Sequence, residues 1–315
     1  MTPAGAPGAP TVGVVVPTHD RPQLLRETLA TVLGQELGPD EAAGLDVVVV
    51  YDRAEPDRSL EGLSRSGRRV RVVTNERSPG LAGARNTGIL ALDTDWVAFC
   101  DDDDTWLPGK LRAQLARARE HPGAPLVTTA IRVAFEDQEV PRLAGADEVT
   151  FAQLTRSRMA MLHSSTLLLR RSALLGSLGL VDEAIPGSQN EDWDMLLRAA
   201  SLAPIPHVDE PLVRVLWGRS SHFSRQWQTR VASLTWMLGR HPAIAADDTG
   251  AARVLGQLAF GHAALGQRRA AARWALRALR RRRSEPRAFL ALAVAARLVS
   301  ADTVMATLHR HGRGV

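Results

Sequence analysis

Asp101, Asp102, Asp103 and Asp104 follow one another without a break, the densest run of carboxylates in the 315-residue chain. Carboxylates ~4 to 6 Å apart disfavour one another's ionisation, so such a run needs a cation or several hydrogen-bond donors to hold it together. Oxygen ligands favour Mg²⁺ or Mn²⁺, ions that keep several waters and bind through one or two carboxylates plus substrate phosphates. The run therefore outlines a diphosphate site. A second reading stays open, in which the aspartates cap the helix opening at Pro108, with Asp104 the nearest and purest capping residue. Glu191 and Asp192 form another acidic pair, ahead of the apolar Trp193, Met195, Leu196 and Leu197. Carboxylates in a first helical turn stabilise the helix, and a carboxylate can also accept a proton from a hydroxyl nucleophile. The single cysteine, Cys100, excludes an internal disulfide and a cysteine-based zinc site, and its apolar setting suits a small buried hydrophobe.

These residues need elements to place them. Short β-branched runs at 12–16, 46–51, 70–74, 96–100 and 126–133 alternate with segments of helical period at 23–33, 59–66, 81–92 and 108–120. That order predicts an α/β fold of parallel strands joined by helical crossovers. Such sheets bind ligands beyond the carboxyl ends of their strands. The chemically unusual residues follow those ends: Pro17 to Arg21 after the first run, Asp52 after the second, the aspartates after the fourth. Past residue 136 the alternation loosens into a mixed sub-domain continuing the sheet, with a strand-like 165–169, a helix over 191–200 and an extended 211–217. From 223 the chain becomes helical, with stretches at 224–239, 251–265, 268–281 and 287–299. Part of this tail, 258–279, faintly resembles one tetratricopeptide unit, but one unit makes no solenoid and a packed helical appendage is expected. The divisions expected are a flexible N-terminus over 1–10, an α/β domain over 11–223 and a helical region over 224–315.

The segment 80–111, GLAGARNTGILALDTDWVAFCDDDDTWLPGKL, resembles the core signature of inverting glycosyltransferase family 2. The Gly-rich turn, the Ala-Arg-Asn helix start, the apolar strand, the Asp-x-Asp-type cluster and the aromatic-Leu-Pro-x-Lys-Leu opening stand in the family's order and spacing. Residues 12–25 (VGVVVPTHDRPQLL), 46–52 (DVVVVYD) and 190–198 (NEDWDMLLR) support it, so the likeness covers roughly 11–224 and excludes the C-terminal helices. It implies the GT-A fold, a Rossmann-like mixed sheet of nucleotide-diphospho-sugar transferases. It implies also a UDP- or dTDP-sugar donor, Mn²⁺ or Mg²⁺, and transfer to an acceptor hydroxyl with inversion. By the same likeness Asp52 accepts the imide N3–H of uracil or thymine, and Pro17, Thr18 and Arg21 belong to the loop around the nucleoside. Arg85 serves a phosphate or the aspartates; Asp101 and Asp102 contact ribose and diphosphate. Asp103 binds the metal, and His222, in a loop that closes over the donor, can join it, with Trp217 and Arg219 nearby. Asp192 is the general base, with Glu191 beside it. One departure is plain: Tyr51 precedes Asp52 and Arg53-Ala54-Glu55 follow, where the family usually has Asp-Asp-Gly-Ser.

At 45% apolar and 23% charged, the composition is that of a globular protein, which excludes disorder over most of the chain. No apolar run approaches the ~18 residues of a membrane span, and Met1 to Pro10 lacks the order of a signal peptide, so a cytoplasmic protein is expected. The net charge of +5 divides unevenly: residues 240–315 carry 14 basic and 4 acidic side chains, a balance of +10, and the remainder carries −5. A solvated, packed helical tail is the simpler reading. Weak, salt-sensitive peripheral contact with the inner membrane face is the sharper one, and no nucleic-acid partner is expected. In the wheel of 268–281, Arg269, Arg273, Arg277 and Arg280 share one face, and Ala272, Leu276 and Leu279 are expected to pack on a separate one. The acceptor is a carbohydrate, a lipid-linked molecule or a small molecule. The competing function is a non-catalytic sugar-nucleotide-binding or scaffold protein with a partner-binding tail.

Overall fold

The computed structural model describes residues 9–38, 44–135, 138–216 and 226–310. In chain order, the first half runs β1 (Thr11–Thr18), α1 (Pro22–Leu33), β2 (Gly44–Tyr51), β3 (Arg68–Thr74), α2 (Leu81–Ala91), β4 (Trp96–Phe99), β5 (Thr105–Trp106), α3 (Lys110–Glu120), β6 (Leu126–Phe135), β7 (Gln138–Arg142) and β8 (Glu148–Val149). There follow α4 (Phe151–Arg156), β9 (Leu168–Arg170), α5 (Arg171–Leu174), α6 (Glu191–Leu202) and β10 (Ile205–Leu216). The tail holds α7 (Trp227–Arg240), α8 (Pro242–Ala246), α9 (Asp248–Ala264), α10 (Arg268–Arg281), α11 (Pro286–Ala295) and α12 (Ala301–Arg310). Two compact units result: a sheet unit of Met1–Thr150, Ala160–Glu183 and Met195–Trp217, and a helical unit of Phe151–Met159, Ala184–Asp194 and Gly218–Val315.

The sheet runs β3-β2-β1-β4-β9-β6-β10-β5, with β7 on β6 and β8 on β10. β1 pairs in parallel with both β2 and β4, and β2 with β3. β9 is antiparallel to β4 and β6, and that is where the parallel expectation gives way to a mixed sheet. Parallel strands covered on both faces read as unbroken apolar runs, and β1 is buried from Val12 to Thr18. Val14, Val16, Val47, Val49 and Val72 meet Leu25 and Leu29 of α1 in one core. α1 opens with Pro22, whose missing N–H costs nothing at a first helical position. Two sequence expectations change form. Residues 59–66 hold a 3₁₀ turn, Arg58–Leu63, and the strand expected over 165–169 begins as a 3₁₀ turn, Ser164–Thr166.

The helical unit buries alanines: Ala259, Ala263, Ala271, Ala275, Ala278, Ala288, Ala291 and Ala295 form its core with Phe260. α10 therefore packs through a face about a quarter turn from the expected one: Leu279 of the expected set does pack, while Ala272 and Leu276 stay exposed. Its buried residues are Ala271, Ala275 and Ala278, while Leu276 is 53% exposed. Helices that approach closely select the smallest side chains for the interface, so alanine displaces leucine from it.

Candidate active site

Strand order reverses between β1 and β4, since β2 and β3 lie on one side of β1 and β4 on the other. The carboxyl ends of those two strands bring the expected residues together. Thr18, at the end of β1, donates from Oγ1 to Asp102 Oδ2 at 2.7 Å. Arg21 Nη1 reaches Asp102 Oδ1 at 3.3 Å and Asp103 Oδ2 at 2.5 Å. Pro17 is a buried strand residue in register with Val50. Arg85, 1% exposed in α2, donates from Nη2 to Asp101 Oδ1 at 2.6 Å, with its guanidinium 5.3 Å from the centre of the Phe99 ring. Of the two roles the sequence left to Arg85, the geometry shows the bond to the aspartates.

Asp104 does not cap α3. Gly109 holds that N-cap position without a side-chain hydrogen bond, and Asp104, 1% exposed, accepts from Ser165 Oγ at 2.5 Å. His163 Nδ1 lies 3.2 Å from the same Asp104 oxygen. Ser164 Oγ donates to Asp101 Oδ2 at 2.9 Å, and Ser165 Oγ accepts the Asp101 N–H at 3.0 Å. The turn at 164–166 thus clasps the aspartates, a role that no local pattern announces, because its residues lie some sixty positions away along the chain. Ligand atoms of Asp101, Asp104 and His163 lie within 4.8 Å of one another, a spacing that a single cation can span. His222, Trp217 and Arg219 fall outside the described residues.

The four carboxyls differ. Burial raises the proton affinity of Asp101, but the Arg85 guanidinium and His163 outweigh it and hold this carboxyl below the usual range. Burial pushes Asp102 up despite the bonds from Thr18 and Arg21. Asp103 is pushed up to about 7 by burial and by the charges of Asp104 and Asp101, against the pull of Arg21. Its side chain is also the most open of the four, at 29% exposure against 20%, 9% and 2% for Asp101, Asp102 and Asp104.

Asp52 closes the other side of β1. Its Oδ1 accepts from Asn75 Nδ2 at 2.7 Å, and its Oδ2 from the Gly80 N–H and Arg53 Nε, each at 3.0 Å. Burial opposes its ionisation, yet these donors prevail and its pKa lies below the ordinary value. A carboxylate has about four acceptor positions, so these three bonds leave capacity for a further donor. Gly80 sits at φ +111°, a conformation open to glycine, and starts α2. At Gly83 a Cβ would stand 1.9 Å from the Ser78 carbonyl oxygen, so only glycine fits. Next along α2, Asn86 donates to the Val181 carbonyl at 2.9 Å and to Glu183 Oε1 at 2.7 Å. Glu183 also takes Arg77 Nε at 2.6 Å and Ser78 Oγ at 2.6 Å. Sequence reasoning missed this brace entirely.

In the helical unit, Glu191 and Asp192 are buried at the start of α6. Asp192 Oδ1 accepts the Trp193 N–H at 2.7 Å, and Oδ2 accepts Arg158 Nη2 at 2.7 Å. Burial alone would lower the Arg158 pKa; the charges of Asp192 and Glu191 raise it instead. The third acid of the motif, Asp194, is fully buried against His241 Nε2 at 2.8 Å, a structural pairing.

Residues 13–175 match the family model described as Glycosyl transferase family 2. Among curated proteins, the chain is 29% identical over 105 residues to the Escherichia coli UDP-Glc:alpha-D-GlcNAc-diphosphoundecaprenol beta-1,3-glucosyltransferase WfgD, covering 33% of this chain and 40% of that protein. It is 37% identical over 101 residues to the Rhizobium meliloti succinoglycan biosynthesis protein ExoW, 31% of each chain. The chain thus spans less than half the length of these relatives. Among solved structures, Staphylococcus aureus TarS 1-349 in complex with UDP aligns over 92% of both chains at TM-score 0.60 and 14% identity. A Pyrobaculum calidifontis mannosyltransferase in complex with GDP-Man and Mn²⁺ aligns over 95% of this chain and 79% of its own at TM-score 0.53 and 18% identity.

Proposed function

Because the chain belongs to glycosyl transferase family 2, we propose that it transfers a sugar from a UDP- or dTDP-sugar to an acceptor hydroxyl, with inversion. Its fold is GT-A. The observation that carries the reading is the convergence of Thr18, Arg21, Arg85 and four aspartates at the carboxyl ends of β1 and β4. Asp52, with one acceptor position to spare, suits the imide N–H of uracil or thymine. A cytosine ring nitrogen, itself an acceptor, would be repelled.

Carboxylates and an imidazole, without thiolates, make a donor set fit for Mn²⁺ or Mg²⁺. Asp103 is the proposed metal ligand because its side chain is the most open of the four, with Asp101 beside it in the Asp-x-Asp pattern and His163 in the role first given to His222. Once bound, the ion supplies charge for the departing diphosphate. Arg85 neutralises Asp101 and keeps that carboxyl ionised without it; Arg21 orients Asp102 and Asp103.

Asp192 is the proposed general base. An acceptor hydroxyl holds its proton far above neutral pH, so a carboxylate must take it as the oxygen attacks the anomeric carbon. Arg158 fixes the rotamer of that carboxylate. One base and a stabilised leaving group complete a single displacement, which inverts the anomeric centre; retention by a covalent intermediate would need a second carboxylate as nucleophile. A lipid-linked diphosphate sugar of the kind named for the Escherichia coli relative is the acceptor class we favour. Asp192→Asn keeps the shape and loses the base. It is expected to retain stabilisation by UDP and Mn²⁺ in a thermal shift while nucleoside diphosphate release falls ~10²- to 10⁴-fold. Near-normal turnover would move the base elsewhere, first to Glu191.

A further inference from the structure

The exposed face of α10 has no role in the reading above. Between Arg268 and Arg283 the chain carries eight arginines and no acidic residue. At 100° per residue, Arg269, Arg280, Arg273 and Arg277 span an arc of about 80°, with Leu276 about 20° beyond its Arg269 edge and Ala272 about 40° further round. All six are exposed. Arg281 pairs with Asp248 at 2.9 Å and Arg268 bonds the Ala295 carbonyl, but none of Arg269, Arg273, Arg277 and Arg280 forms an ion pair among the described residues. Arg277 instead lies 4.8 Å over the ring of Trp274. The opposite face, Ala271, Ala275 and Ala278, is spent on the core. On the neighbouring α11, Phe289 is also 53% exposed.

A leucine at the border of an arc of guanidinium groups suits a surface that offers anions and an apolar layer together. Solvated polyanions supply only the first. We propose that α10 docks on an anionic lipid bilayer, with Leu276 entering the headgroup boundary and Arg269, Arg273, Arg277 and Arg280 meeting lipid phosphates. No helix of the described residues is long and apolar enough to cross a membrane. The inference does not depend on the donor site, and it would bring the enzyme to lipid-linked acceptors.

Co-sedimentation of the full chain with phosphatidylcholine vesicles containing about 30% phosphatidylglycerol tests it, at ~0.05 M and ~0.5 M salt. Expected are binding at low salt, loss at high salt and none to pure phosphatidylcholine. Leu276→Asn, which leaves the charge unchanged and lies outside the packed face, should keep the thermal midpoint and weaken binding about tenfold. The double change Arg269→Gln, Arg273→Gln should weaken it too. Absence of low-salt binding overturns the proposal. So does binding indifferent to Leu276→Asn, which would mark a general polyanion surface for nucleic acid or acidic protein. UDP binding, measured on the same samples, reports separately on the donor site.

Discussion

Glu183 carries the clearest electrostatic consequence of the site's architecture. Burial would raise its carboxyl, but Ser78, Asn86 and Arg77 together hold it down to about 2, from an ordinary 4.5. A carboxyl depressed in the folded state stabilises fully above its unfolded pKa and loses that contribution as pH falls through the folded one. Glu183→Gln should therefore lower the midpoint of urea unfolding near neutral pH. The gap from the parent protein should close as the pH drops from about 4.5 toward about 2. A gap constant across that range would show that the brace owes nothing to charge. The aspartate cluster follows the same chemistry with a different balance: Asp101 is matched by Arg85, whereas Asp103 is left pushed up to about 7. Thr18, Arg21, Asp52, Arg85, Asp101, Asp102 and Asp103 were legible as candidates, since each stands at a strand end or in a short motif, whereas Asp104, read as a helix cap, is instead buried against Ser165. His163, Ser164, Ser165 and Arg158 were not legible, because their roles arise only when segments distant along the chain meet.

Among the elements, α2 does the most to position the site, since it presents Arg85 to Asp101 and Asn86 to Glu183. Gly83 lets its first turn lie against the Ser78 carbonyl. Gly83→Ala places a methyl where backbone already stands, and overpacking of this kind costs about 1–3 kcal/mol or more. The expected result is a lower thermal midpoint together with weaker UDP binding, because Gly80 and Asp52 share the displaced turn. A midpoint unchanged by Gly83→Ala would mean that the turn yields freely. Strands and crossover helices of the sheet were readable from β-branched runs, which stay apolar when both faces are covered. The antiparallel pairing of β9, which the strand-like stretch at 165–169 only overlaps, and the short β7 and β8 were not, as two to five residues carry too little periodicity. The face of α10 was misread for a physical reason: hydropathy ranks leucine above alanine, while close helix packing ranks them by size.

For the whole molecule, charge and chemistry are segregated along the chain. The net negative portion holds the aspartates, whose charge would repel a diphosphate unless a cation compensated it, and the tail from residue 240 carries the +10 balance. The central claim is that the sheet unit binds a nucleoside diphosphate through a divalent ion at Asp103. Isothermal titration of UDP into the full chain, with Mn²⁺ and again with excess chelator, measures it directly. The account predicts at least a tenfold loss of affinity in chelator, since the diphosphate would then face uncompensated carboxylates. Asp103→Ala should remove the gain from Mn²⁺. Equal affinity with and without the metal, in the parent protein, would contradict it.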